Sequence, residues 1–190
     1  MRRGVFRSAE SFSRKADVRS PLLKASLLAA LVLLLAGCGD EINSAARGYE
    51  KHIAGDLSAA RKIWSAGADH GDDLSLYYLG RIHEVGDGVD QDYEKAVGYY
   101  RRSAQLGNPY ALGSLAVLYA YGRGVPRDFV KSYAYSTLAA DGYSRWSSDQ
   151  RQAALRNRDL VVTRMTGADI VAAQKMADRL AERPAEAERD

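Results

Sequence analysis

The chain has 190 residues, 46% hydrophobic and 27% charged, with 17 Gly and four Pro, a profile of one folded domain with flanking segments that excludes disordered, collagen-like and multi-span membrane classes. Its formal charge is +3 and its pI about 8.9, yet residues 1–37 hold seven of the 27 basic and two of the 24 acidic residues, which leaves 20 basic against 22 acidic in the remainder. No basic face is left for nucleic acid, and a single cysteine, Cys38, excludes an internal disulfide framework and any multi-cysteine metal site.

From Arg2 to Lys24 the chain is basic and polar, and from Ala25 to Gly37 it is uncharged and mostly Leu and Ala. This is the order of a signal segment: charged region, apolar region, small residues at a cut site. The apolar run spans roughly 20 Å as a helix, short of the ~30 Å hydrocarbon core, so it reads as a cleaved signal at 1–37 and not as a permanent span. Leu35-Ala36-Gly37-Cys38 resembles the lipobox of bacterial lipoproteins. The resemblance implies cleavage before Cys38, a lipid thioether on its sulfur and acylation of the new amino group, and two or three acyl chains (palmitate among them) anchor durably where one does not. It also implies outer-membrane sorting with the folded part facing the periplasm, because Gly39 and not an Asp follows the cysteine. Residues 38–44 are then a short tether.

Beyond the tether the chain repeats. A shift of 36 residues carries Leu79 onto Leu115, Gly86 onto Gly122, Gly88 onto Gly124, Asp92 onto Asp128, Tyr99 onto Tyr135 and Ala104 onto Ala140. The reverse shift carries Asp92 to Asp56, Ala96 to Ala60, Tyr100 to Trp64 and Gly107 to Gly71. Periods of this length mark stacked supersecondary units, here three: about 45–72, 73–108 and 109–144. Each reads as two helices, the first over Leu74–Val85 in unit two and Ala111–Tyr121 in unit three. Gly86 and Gly122 stand where a left-handed C-terminal cap is wanted, and Asp56, Asp92 and Asp128 where an N-cap carboxylate is wanted. Small residues at Gly80/Ala116, Ala60/Ala96/Ser132 and Ala68/Ala104/Ala140 let helices approach closely. After Gly142 the period is lost. Ser147 with Gln150 and Thr166 with Asp169 resemble capping boxes for two further helices, and Ile170, Ala173, Ala177 and Leu180 share a face of the second.

Leu79-Gly80, His83, Gly86-Asp87-Gly88-Val89, Asp92, Lys95-Ala96, Tyr99-Tyr100, Ala104 and Gly107, repeated from Leu115 through Gly122-Arg123-Gly124-Val125 to Asp128, resemble the Sel-like repeat, a relative of the tetratricopeptide repeat. Unit one, with only Gly55-Asp56 between its helices, is similar to the shorter tetratricopeptide opening. His83 at a usual Tyr, Ser132 at a usual Ala and the end of unit three at Ala139-Ala140-Asp141-Gly142 depart from the pattern. The resemblance implies an all-α fold: a short right-handed α-solenoid of three helix-turn-helix repeats with a two-helix C-terminal cap over 145–182, followed by a charged, frayed tail at 183–190.

No catalytic constellation is present. Gly86-Asp87-Gly88 follows a helix and lacks the third glycine of a dinucleotide loop. Asp87, Asp90, Asp92 and Glu94 lack the glycine that a calcium loop starting at Asp90 needs where Lys95 stands. His52 and His83 occupy the slot that Tyr119 fills in unit three and read as packing residues, while His70 reads as a surface residue at a helix end. No metal and no cofactor is expected. What remains is surface: on the first helices, expected to line the concave side, Tyr78, Arg81, Ser114, Val117 and Tyr121 are not prescribed by the repeat and are candidate partner-binding positions. The functional reading is a membrane-anchored, non-enzymatic protein interaction or assembly module of the bacterial envelope, its partner an envelope protein. An envelope glycan-binding module is a rival reading. A cell-wall-acting enzyme is another, by likeness to some disulfide-rich relatives whose bracing this chain lacks.

Overall fold

The computed structural model describes residues 44–143 and 147–182. The expectations for the signal segment, Cys38, the tether before Ser44 and the tail lie outside the described residues. Among those residues there are eight helices and no strand: α1 (Ser44–Ile53), α2 (Leu57–Asp69), α3 (Asp73–Val85), α4 (Tyr93–Gln105), α5 (Pro109–Tyr121), α6 (Phe129–Gly142), α7 (Ser148–Val162) and α8 (Gly167–Glu182). Successive helices from α1 to α7 pack on one another, and α8 also packs on α6. This is a helical solenoid of three helix pairs closed by two more helices.

The second helices start alike. Asp56, Asp92 and Asp128 accept from the backbone N–H three residues on, at 3.0, 2.9 and 2.9 Å, which satisfies an orphan donor of the first turn. The hydrogen bond from the Lys95 backbone N–H is the main cause that holds the Asp92 carboxyl below its ordinary range. The first helices carry caps the sequence reading passed over: Asp72 accepts from Leu74 N–H, and buried Asn108 accepts from Tyr110 and Ala111 N–H at 2.9 and 3.1 Å. α3 and α5 consequently begin one and two residues earlier than the apolar pattern indicates. At their other ends Gly86 and Gly122 adopt φ of +77° and +68°, and the N–H of the following residue, Asp87 or Arg123, returns to Ile82 or Leu118 O at 3.0 Å, as a Schellman cap requires.

The second glycine of each turn stacks the units. A Cβ on Gly88 would lie 2.9 Å from Leu57, and one on Gly124 2.4 Å from the backbone of Tyr93. Leu57 and Tyr93 are the first residues of α2 and α4, so the turn of each unit rests on the second helix of the unit before. Small residues do the same inside a pair: a Cβ on Gly80 would meet the Tyr100 ring at 2.6 Å.

The core runs along the stack. Trp64, Leu76, Leu79 and Ile82 fill the junction of units one and two, and Ala96, Tyr100, Leu115, Leu118 and Tyr135 that of units two and three. The Trp64 indole donates to Ala45 O at 3.1 Å, and so joins α2 to α1.

The cap shows one capping box of the two expected. Thr166 and Asp169 bond reciprocally, Thr166 N–H to the carboxylate at 2.9 Å and Asp169 N–H to the hydroxyl at 3.2 Å. Ser147 stands at the N-cap of α7 but makes no side-chain cap bond; its hydroxyl lies 3.4 Å from the Tyr110 hydroxyl instead. α7 is held from its middle, where the Asn157 amide donates to Ser136 Oγ at 2.7 Å and to Ser132 Oγ at 3.2 Å, while Ser132 donates to Ala116 O at 2.7 Å. The departure at Ser132 therefore serves the cap.

Candidate functional site

The shift of 36 that places Tyr100 after Trp64 places Ser136 in unit three, so the large aromatic that fills this slot twice is missing the third time. α7 enters the space. Between α3, α5 and α7 there remains a groove of about 290 Å³, and Arg81, Ser114 and Val117 line it. Tyr77, Tyr110 and Tyr143, which the sequence reading did not single out, line it too.

On the α3 side Arg81 Nη1 lies 3.7 Å from Glu84 Oε2, and the same oxygen accepts the Tyr100 hydroxyl at 2.5 Å. Burial, reinforced by the Glu84 charge, drives the Tyr100 phenol far above its ordinary range. Burial also raises Tyr77 and Tyr78 and pushes Tyr143 up to about 12. These phenols are protonated at neutral pH and can donate. The groove can thus offer aromatic faces, hydroxyl donors and one exposed guanidinium.

A second cavity, of about 160 Å³, lies on the other side of Arg81, with Tyr49, Trp64 and Tyr78 in its wall. Tyr78 is half-buried, stacked on Trp64 at 4.9 Å and 15° and set 5.7 Å from Tyr49. It is a packing residue as well as a surface one. Tyr121 lies outside both cavities; it is 60% exposed, with the Arg123 guanidinium 5.4 Å from its ring. Of the five candidate positions, three meet in the groove, one flanks it and one stands apart.

Two of the three histidines, His52 and His83, are held in packing. His83 stacks on Tyr99 at 5.6 Å and 11°, as Tyr119 stacks on Tyr135 at 5.7 Å and 18°, and burial followed by the nearby Lys95 charge lowers its pKa. His52 lies 5.7 Å from Trp64 and shares a 2.6 Å hydrogen bond with Asp87, which joins α1 to the turn of unit two. Among the described residues no group of three or more His, Cys, Asp or Glu side chains converges on a point where a metal could sit, and no helix is long and apolar enough to cross a membrane.

The model of the Sel1 repeat family matches residues 73–108 and 109–144. Residues 73–144 are thus similar to two consecutive Sel1 repeats. The first helix pair, α1 and α2, precedes both matches. Among solved structures the chain is similar to c5321, a protective antigen present in uropathogenic Escherichia coli strains that displays an SLR fold, at 25% identity and a TM-score of 0.69 over 79% of this chain. It is also similar to a Sel1 repeat protein from Oxalobacter formigenes, at 26% identity and a TM-score of 0.53 over 68% of this chain. The match spans 32% of the length of the first and 61% of the second. No curated protein matches the chain.

Proposed function

We propose that the chain is a lipid-anchored interaction module of a bacterial envelope, which holds a partner protein in the groove between α3, α5 and α7. Sel1 repeat proteins generally mediate protein–protein interaction, and their fold is typically a non-catalytic scaffold. The observation that carries the reading is the meeting of Arg81, Ser114 and Val117, positions the repeat leaves free, in one groove lined by tyrosines. Tyr and Arg are the usual anchors of interfaces. The anchor rests on Leu35-Ala36-Gly37-Cys38 after an apolar run, and the outer membrane with the repeats toward the periplasm on Gly39 at the position after the cysteine.

Two substitutions test the two halves separately. Cys38→Ala should abolish incorporation of labelled fatty acid and leave the precursor unprocessed; labelling that persists contradicts the anchor. Val117→Arg places a charge on a partly exposed groove residue and should change stability by no more than about 0.5 kcal/mol. It should nevertheless weaken partner recovery by ~1–2 kcal/mol, compared at equal folded concentration. Full recovery with Val117→Arg contradicts the groove.

A further inference from the structure

The turns that follow the first helices of units two and three share one backbone course and carry opposite charge. Gly86 and Gly122 take φ of +77° and +68°, Gly88 and Gly124 φ of +70° and +68°, and Asp92 and Asp128 donate their N–H to His83 O and Tyr119 O at 2.8 and 3.0 Å. Along that course Asp87 corresponds to Arg123, Asp90 to Pro126, Gln91 to Arg127 and Glu94 to Val130. Residues 85–95 hold four carboxylates against Lys95 alone, and Arg61, which donates to Gly88 O at 3.4 Å, leaves the acidic turn a net −2. Residues 121–131 hold three cations against Asp128 alone, a net +2.

Part of this charge is paired within the chain: Lys95 with Asp92 at 3.1 Å, Lys131 with Asp128 at 3.7 Å, and Asp87 with His52. Asp90 and Glu94 on one turn, and Arg123 and Arg127 on the other, are exposed. Each of the two arginines lies over a ring, Arg123 at 5.4 Å from Tyr121 and Arg127 at 5.4 Å from Phe129. A guanidinium stacked on a ring keeps the N–H donors of its edge for a carboxylate. The turns are neighbours, because Gly124 rests on Tyr93. Val85 and Tyr121, the last residues of α3 and α5, stand beside them 51% and 60% exposed.

That pattern selects the occupant. A lipid surface or a nucleic acid presents a single sign across both turns and is repelled by one of them. A surface that carries both signs side by side, on turns of the same shape, is this edge itself. A two-fold axis between the turns sets the acidic turn of each copy against the basic turn of the other, as an isologous interface requires. We propose that this edge is a homodimer interface, with Asp90 and Glu94 of one protomer against Arg123 and Arg127 of its partner and with Val85 and Tyr121 packed between them. The face is small, about twenty residues a side, so the dimer is weak and salt-sensitive. None of the six residues lines the groove between α3, α5 and α7, so the two surfaces are tested independently.

The test is sedimentation velocity of the full chain in density-matched detergent, at several protein concentrations and at about 0.05 and 0.5 M salt. The expected result is a reversible monomer–dimer equilibrium, roughly tenfold weaker at the higher salt. Arg123→Glu with Arg127→Glu gives a chain with two acidic turns, and Asp90→Lys with Glu94→Lys a chain with two basic ones. Each should be monomeric with native circular dichroism, and an equal mixture of the two should dimerise again, which misfolded variants could not do. Monomers at every concentration overturn the proposal and leave the edge to a different protein. Dimers that persist in both variants overturn it, as do variants that stay monomeric when mixed. So does growth beyond the dimer, which a closed two-fold interface forbids.

Discussion

Gly80 and Gly98 are both helical glycines, and their surroundings predict opposite outcomes for the same added methyl. Beside Gly80 a Cβ would lie 2.6 Å from the buried Tyr100 ring, whereas beside Gly98 it meets nothing within 4 Å. Gly80→Ala should destabilise by about 1–3 kcal/mol through overpacking. Gly98→Ala should stabilise by up to ~1 kcal/mol through helix propensity. Urea denaturation of the two variants decides it; equal effects contradict the close approach of α3 to α4. The buried phenols give a second outcome at this scale. Tyr143 ionises near 12 in the fold against about 10 in an unfolded chain. The unfolded state therefore releases its protons first, so the contribution is intact below pH 10 and is lost as pH rises through 12; Tyr77 and Tyr78 shift the same way. Absorbance titration should show tyrosines ionising in two groups, the later one together with loss of helix. A single ordinary transition with helicity intact contradicts the burial of these phenols.

At the scale of elements, much of what recurs was legible and much of what occurs once was not, the Thr166–Asp169 capping box being an exception. Asp92 and Asp128, Gly86 and Gly122, and Ala104 and Ala140 reveal their roles because the same type returns 36 residues later. Tyr143 stands where the repeat has Gly71 and Gly107, in the degenerate end of unit three, and Asn157 lies beyond it; their contacts, with Tyr110 and with Ser132 and Ser136, are made to residues that no local pattern pairs with them. The departures themselves were readable: Ser132 breaks the Ala60/Ala96 series and Ser136 the Trp64/Tyr100 series, each a sign that a different neighbour arrives. The capping box at Ser147 fails for the converse reason, since that hydroxyl lies 3.4 Å from the Tyr110 hydroxyl. If Ser136 admits α7, restoring the aromatic should expel it. Ser136→Tyr should raise amide exchange selectively across Ser148–Val162 and leave α3 and α4 protected, because stacked units interact only with their neighbours. Uniform protection in α7 contradicts that role.

Across the whole described molecule, the turns of one unit rest on the second helix of another through Gly88 and Gly124, and the His52–Asp87 pair ties α1 to unit two. These contacts hold the first helices side by side and let three separate segments of sequence form one groove. Each of these contacts is made between protein groups of the described residues, so chelator and reductant should leave the helical signal unchanged. The central claim is that this groove holds a partner protein in the cell. The most direct measurement is light-induced crosslinking in intact cells from a photoreactive amino acid at Val117, in the groove, and at Gly98, on the solvent side of α4. The prediction is one discrete protein adduct from Val117 and none from Gly98. Adducts from Gly98 with none from Val117, in proteins folded to the same extent, would place the interaction on the second helices and contradict it.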